Sequence, residues 1–432
     1  MSKIKKTVVS AVCAAVMLLA FGCGEPKSSS KEPDVTEQYP LYVSDIESIS
    51  YSAETYAQKM SSPFWLSNVM YNEIAVPFEY EDGSVYANLM YAPERVVSVM
   101  DQQLKVTYEE GKDYTVDKAN KRLVIPAGSA IVPLYEKADE GVRPPEGNYE
   151  LVTAPPGGLA MPDSVSKYVI WNNGGGPFVY TECSYFYGKY LSVTYAYDVS
   201  ELPKSVFNRH DKTMLAGVRN KLKAGNDISM VVLGDSISAG SSSTSDLKVE
   251  PYTPSYSEQV KAELERVYGA KVDYTNVAKG GSMSDYPLGE GAAALAAAKA
   301  AKPDLCIIGY GMNDLSGTTP AKFQSNIEET MLAVKSESRD CNFILVNSFP
   351  CNDKFVGNVY ETLGKYRAKL NELQEKYNDG SVTVIDMLAP GEHFLTRKKF
   401  CEISSSNVNH PNDFMHRVYA MNIMTAICDY KN

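Results

Sequence analysis

Beyond about residue 201, short continuous apolar runs alternate with longer mixed stretches. The apolar runs fall at 229–233, 272–277, 305–308, 343–348 and 382–387, and the mixed stretches at 256–268, 289–301, 320–338, 356–377 and 413–430 read as helices. Five β/α units with continuously apolar strands predict a parallel sheet buried on both faces, an α/β three-layer αβα sandwich over 201–432. From 40 to 200 the pattern changes over shorter distances. Segments at 73–78, 84–91, 104–108, 122–125 and 190–197 are rich in β-branched and aromatic residues, and turn formers such as Asp82-Gly83, Glu110-Gly111 and Gly174-Gly175-Gly176-Pro177 separate them. That spacing predicts an all-β domain, an antiparallel sandwich, ahead of the α/β one.

The first 39 residues fit neither pattern. Lys3, Lys5 and Lys6 precede an apolar run from Thr7 to Phe21, too short to span a bilayer comfortably, which is the layout of a secretion signal over 1–22. Ala20-Phe21-Gly22-Cys23 resembles the lipobox of bacterial lipoproteins, and the resemblance implies lipidation of Cys23. Residues 23–39, rich in Ser, Pro and charge, read as a tether. The chain is thus expected to be exported and lipid-anchored to the bacterial cell envelope. A length of 432 residues suits two domains beyond these segments. With 42 Lys+Arg against 53 Asp+Glu the formal charge is −11, and loss of the signal removes three further positive charges. This is the wrong sign for binding through phosphate neutralisation, so nucleic acid is not an expected partner.

In a parallel sheet, chemistry belongs beyond the carboxyl ends of the strands. After the first run comes Gly234-Asp235-Ser236-Ile237, a sharp exit that sets a Ser hydroxyl on the rim with its amide at a helix start, although the same residues also suit a plain turn and helix cap. After the second comes Asn276-Val277-Ala278-Lys279-Gly280-Gly281, and after the third Gly309-Tyr310-Gly311-Met312-Asn313-Asp314. Glycine amides and a neutral Asn amide suit an oxyanion hole. Asp314 occupies the third glycine position of a dinucleotide fingerprint and rules that reading out. Of four His, His410 sits in the polar loop Ser406-Asn407-Val408-Asn409-His410-Pro411 before the last helix, while His210, His393 and His416 are assigned structural, packing or solvent roles. No two Cys have C-x-x-C spacing, so no metal site is expected, and Cys351 with Cys401 forms a candidate disulfide. There is no G-x-S-x-G elbow, and Ser245-Asp246-Leu247-Lys248 has no K-T-G partner.

Taken in order, these four blocks resemble those of the SGNH (GDSL) hydrolases, over about 228–428. The resemblance implies a flavodoxin-like three-layer fold and ester hydrolysis through an acyl-enzyme without cofactors. Ser236 would be nucleophile and first oxyanion donor, Gly281 and Asn313 further donors, and His410 the general base. The family usually places Asp three residues before this His, where the present chain has Asn407. A Ser–His dyad with the ring held by a backbone carbonyl, a carboxylate from elsewhere such as Asp413, or a weakened enzyme would each account for that, and the dyad is the preferred expectation. Carbohydrate esterases with a β-domain ahead of an SGNH domain share the layout. The expected activity is therefore a carbohydrate-esterase-like one, removing short acyl groups, acetyl foremost, from a polysaccharide. The alternatives are a longer-chain lipase or thioesterase, or a catalytically weak glycan-binding lipoprotein. Thirty Tyr against 13 Phe and 2 Trp could stack on sugars, though strand propensity and packing are the commoner reason for such rings.

Overall fold

The computed structural model describes residues 38–140, 149–153, 168–172, 177–207, 210–355 and 360–430. The signal, Cys23 and the glycines of the 174–176 turn lie outside them.

In the N-terminal part, β1 (Val69–Ala75), β4 (Pro93–Asp101), β5 (Thr107–Tyr108) and β12 (Leu191–Tyr197) form an antiparallel sheet in the order β1-β12-β4-β5. A second sheet has the order β6-β7-β3-β2-β8, from β2 (Phe78–Glu79), β3 (Val85–Asn88), β6 (Thr115–Asp117), β7 (Arg122–Val124) and β8 (Leu134–Tyr135). A third sheet joins β9 (Tyr149–Thr153), β10 (Tyr168–Asn172) and β11 (Pro177–Thr181) in the order β11-β10-β9. Two of these pairings, β2 with β8 and β10 with β9, are parallel, a departure from the antiparallel expectation. Strand composition specifies a pleated, half-buried surface and not a partner's direction. The tyrosines serve mainly as core here: Tyr91, Tyr180, Tyr195 and Tyr197 are almost fully buried, and Tyr91 stacks on Tyr197 at 4.7 Å.

The C-terminal part holds the predicted parallel sheet. β13 (Ile228–Gly234), β14 (Val272–Asn276), β15 (Leu305–Gly309), β16 (Asn342–Asn347) and β17 (Val382–Asp386) pair in the order β14-β13-β15-β16-β17, the 2-1-3-4-5 order of flavodoxin-like folds. One group of helices unites α2 (Ala216–Lys223), α4 (Tyr256–Tyr268) and α9 (Asp413–Ile427), and another α5 (Ala292–Ala300), α6 (Pro320–Lys335) and α7 (Glu361–Lys376). Their termini carry the expected signals. Ser255 forms a capping box with Glu258 and Gly269 closes the other end of α4, while Thr319 caps α6 and Asn412 caps α9. Every residue of α9 is buried, because the helix packs on α4 and also on β1 of the preceding part. One apolar cluster runs unbroken from Tyr39 to Cys428 through both parts. Cys351 and Cys401, the candidate disulfide, are separate free thiols packed in that cluster.

Candidate active site

Strand order reverses between β13 and β15, and a crevice at such a point is where doubly wound sheets bind ligands. The last residues of the two strands, Gly234 and Gly309, stand side by side. A Cβ on Gly234 would lie 2.3 Å from Ser238 Oγ and 2.5 Å from the Gly309 carbonyl, so only glycine lets the chain turn out of the sheet here. Asp235 then caps a single helical turn, α3 (Ser236–Ala239), its carboxylate accepting from the Ile237 amide at 3.0 Å. Burial pushes the Asp235 carboxyl up to about 7. Ser236 opens the turn and is 5% exposed.

His410 arrives from the loop before α9, which the run Ser404-Ser405-Ser406 templates. The Ser406 hydroxyl accepts from the amides of Val408, Asn409 and His410, and the Ser404 hydroxyl donates to the His410 carbonyl at 2.7 Å. This sets His410 Nε2 2.9 Å from Ser236 Oγ.

The other ring nitrogen, Nδ1, lies 3.0 Å from Oε2 of Glu182, a residue of the N-terminal part that the sequence reading did not single out. The expected dyad with a carbonyl on the ring is corrected accordingly: Nδ1 faces a carboxylate. Neither residue weighed for that place supplies it. Asn407, left-handed at φ +61°, donates through Nδ2 to the carbonyls of Asp139 and Val179. Asp413 accepts from the Thr244 amide and hydroxyl, the Tyr187 hydroxyl and the Gln102 amide. Glu182 itself accepts from the hydroxyls of Tyr180 and Ser242, both at 2.7 Å. Burial works to raise the Glu182 carboxyl, but the facing His410 and these hydrogen bonds outweigh it and hold the carboxyl below its usual range. For His410 burial pulls the other way, and the Glu182 charge and hydrogen bond, with Asp235 and Asp246 behind them, hold the imidazole above its usual value. A carboxylate on Nδ1 places the ring proton there and leaves Nε2 free to accept from Ser236.

Across from His410, Gly280 approaches Ser236, a Cβ there falling 3.8 Å from Ser236 Cβ, and Gly281 takes a left-handed φ of +76°. Hydrogen bonds from the Lys279 amide and the Ser282 hydroxyl to the Gly234 carbonyl pin this loop to the end of β13. Among the described residues neither the Ser236 nor the Gly281 amide meets a protein acceptor. Asn313, half-buried, gives one amide proton to the Ser282 carbonyl at 3.0 Å, which leaves its second. The remaining His stand apart from this pair. His416 is fully buried against Tyr256, its ring pushed down to about 3 by burial, His393 lies 3.1 Å from the Tyr91 hydroxyl, and burial pushes His210 down to about 4. Among the described residues no cluster of three or more His, Cys, Asp or Glu could hold a metal ion.

Residues 230–423 match the family model of the GDSL-like Lipase/Acylhydrolases. No curated protein matches the chain. A crystal structure of a two-domain esterase (CEX) active on acetylated mannans, co-crystallized with mannopentaose, is similar at 24% identity and TM-score 0.39. That match covers 50% of this chain and 54% of that one, so the chain spans about half the length of the esterase. Axe2, an acetylxylan esterase from Geobacillus stearothermophilus, is similar at 18% identity and TM-score 0.39, over 49% of this chain and 99% of that one. The segment that brings Ser236, Gly281, Asn313 and His410 to one rim is a GDSL-like lipase/acylhydrolase domain of the SGNH type, preceded by a β-rich domain.

Proposed function

We propose that the protein is a serine ester hydrolase that removes short acyl groups, acetyl foremost, from carbohydrate hydroxyls through an acyl-enzyme. The observation that carries this reading is the 2.9 Å contact between Ser236 Oγ and His410 Nε2 at the switch point of the sheet. As Ser236 Oγ bonds to the ester carbon, its proton passes to His410 Nε2, and the carbonyl oxygen becomes an oxyanion held by the amides of Ser236 and Gly281 and by Asn313 Nδ2. Collapse breaks the bond to the alcohol oxygen, which takes the proton from His410 and leaves. Water then gives a proton to His410 and its oxygen to the acyl carbon, releasing the acid and free Ser236.

Two features support a small acyl group on a large polar alcohol. The cavity behind the nucleophile, lined by Asp235, Ile237 and Ser238, measures about 10 Å³, the room of one water molecule and not of an alkyl chain. Beside the His410 loop lies a cleft of about 560 Å³ lined by Asp139, Glu140 and Asn352 together with Phe178 and Tyr360, the mixture of polar and aromatic groups that suits a glycan. Export and lipid anchoring through Cys23 are proposed with this activity on the N-terminal sequence pattern alone.

Nitrophenyl acetate and nitrophenyl octanoate test both halves of the reading. The acetate is expected to turn over faster, and Ser236→Ala to lower the rate at least about 10³-fold. A preference for octanoate would favour a lipase, and equal activity of Ser236→Ala and wild type would remove the serine mechanism altogether.

A further inference from the structure

We propose that Glu182 is the positioning residue of the His410 imidazole, so that the active site is completed by the β-rich domain and not by the hydrolase domain alone. The proposal rests on the serine hydrolase reading above. It is carried by how much of the structure serves to bring this one carboxylate to Nδ1. Glu182 directly follows β11, whose end is tied to the His410 loop by backbone and side chain. The Thr181 amide donates to the Ser406 carbonyl at 3.3 Å, and Asn407 Nδ2 donates to the Val179 carbonyl at 2.9 Å. The residue at the family's usual Asp position therefore clamps the strand that delivers the acid. Just past Glu182, the Cys183 amide closes a turn on the Thr181 hydroxyl at 3.0 Å.

The carboxylate is held at both oxygens. Tyr180 donates to Oε1, while Oε2 receives Ser242 and faces Nδ1. Ser242 is in turn held in a left-handed conformation at φ +64°, sparsely populated for a residue with a side chain, by its amide bond to Asp246 Oδ2 at 2.9 Å. A buried ion pair is a poor device for stability, since apolar groups of the same volume do as well or better. It is a good device for fixing a tautomer and balancing the charge that the imidazole acquires as it takes the Ser236 proton. The charged and titratable groups facing His410 are Glu182, Asp235, Asp246 and the buried His416. Of the three carboxylates, only Glu182 touches the ring.

The test is the full chain with Glu182→Gln, Glu182→Asp, Tyr180→Phe and Ser236→Ala, assayed on nitrophenyl acetate across pH. Glu182→Gln keeps the shape and removes the charge. Its kcat is expected to fall about 10²- to 10⁴-fold with KM nearly unchanged, as when a triad carboxylate becomes an amide. The base works only when neutral, so wild-type activity rises with pH through the raised value of His410, and loss of the anion moves that acid limb to lower pH. Tyr180→Phe keeps the charge and is expected to leave the limb in place. If Glu182→Gln unfolds, Glu182→Asp answers instead: a limb at the wild-type pH with lowered kcat supports the proposal, and an unchanged kcat overturns it. Wild-type kcat and limb in Glu182→Gln, with Ser236→Ala inactive, overturn the role of Glu182 and leave the serine reading standing. An active Ser236→Ala defeats the serine reading itself.

Discussion

At the scale of single residues the oxyanion hole yields a sharp expectation. Asn313 is half-buried, its side chain is aimed by one hydrogen bond to the Ser282 carbonyl, and its spare proton can strengthen its bond only as the ester oxygen becomes negative. Asn313→Ala should therefore lower kcat about 10²- to 10³-fold and hardly change KM on nitrophenyl acetate, the size usual for one lost oxyanion donor. A rise in KM at constant kcat would assign Asn313 to ground-state binding instead. Ser236, Gly281, Asn313 and His410 could be picked out of the sequence because each follows a strand or precedes a helix within a short local pattern. Glu182 could not. It lies 228 residues before its partner, with no spacing to bind it to the His410 loop, and is one of 53 acidic residues. The one available signal was negative: Asn407 stood where an acid was due, and only the fold reveals that its amide is spent on Asp139 and Val179.

Among the elements, those whose local signals agree were the legible ones. β13 to β17 are continuous apolar runs, and α4 spans Tyr256–Tyr268 as expected because its capping box and terminal glycine state both ends. Two helices went unread. α2 begins after Leu215, at φ +56° and without a side-chain cap, so nothing in its composition marks the start. The other, α8 (Leu388–Leu395), contains Pro390-Gly391, which reads as a break. Pro390 is tolerated because it stands in the first turn, where amide protons have no helical acceptor. Gly391 is there for space: a Cβ would fall 2.1 Å from Pro350 Cδ, on a ring that cannot swing aside. Helix propensity alone makes Gly391→Ala stabilising by about 1 kcal/mol, whereas forcing a methyl into a packed, rigid contact costs about 1–3 kcal/mol. The clash is expected to win, and the variant's melting temperature should fall. A rise would mean that the loop carrying Pro350 yields easily.

For the whole molecule, the two parts meet through buried charge as well as apolar surface. Lys398, 2% exposed, leaves the hydrolase side to lie 2.6 Å from Glu73 Oε1 on β1 and 3.7 Å from Glu402 Oε1, and it donates to the carbonyls of Ile74 and Asn88. Glu73 also receives the Tyr195 hydroxyl and the Met90 amide, and Glu402 the Val76 amide at 3.1 Å. Arg417 of α9 reaches the carbonyls of Met60, Tyr71 and Asn72. Lengths and composition divide the chain into two domains, and each has sheets of its own. Yet a shared apolar cluster and an ion cluster closed at the joint leave neither side able to open without exposing the other. Thermal unfolding of the full chain is therefore expected as one transition. Lys398→Ala would leave Glu73 and Glu402 facing each other without a cation, and removing one partner of a buried ion pair costs about 3–5 kcal/mol. The single transition should move to lower temperature as a unit, carrying the loss of esterase activity with it, because Glu182 and His410 sit on opposite sides of the same joint. Two separated transitions in calorimetry, with only the first sensitive to Lys398→Ala, would show that the parts fold independently and that the joint merely docks them.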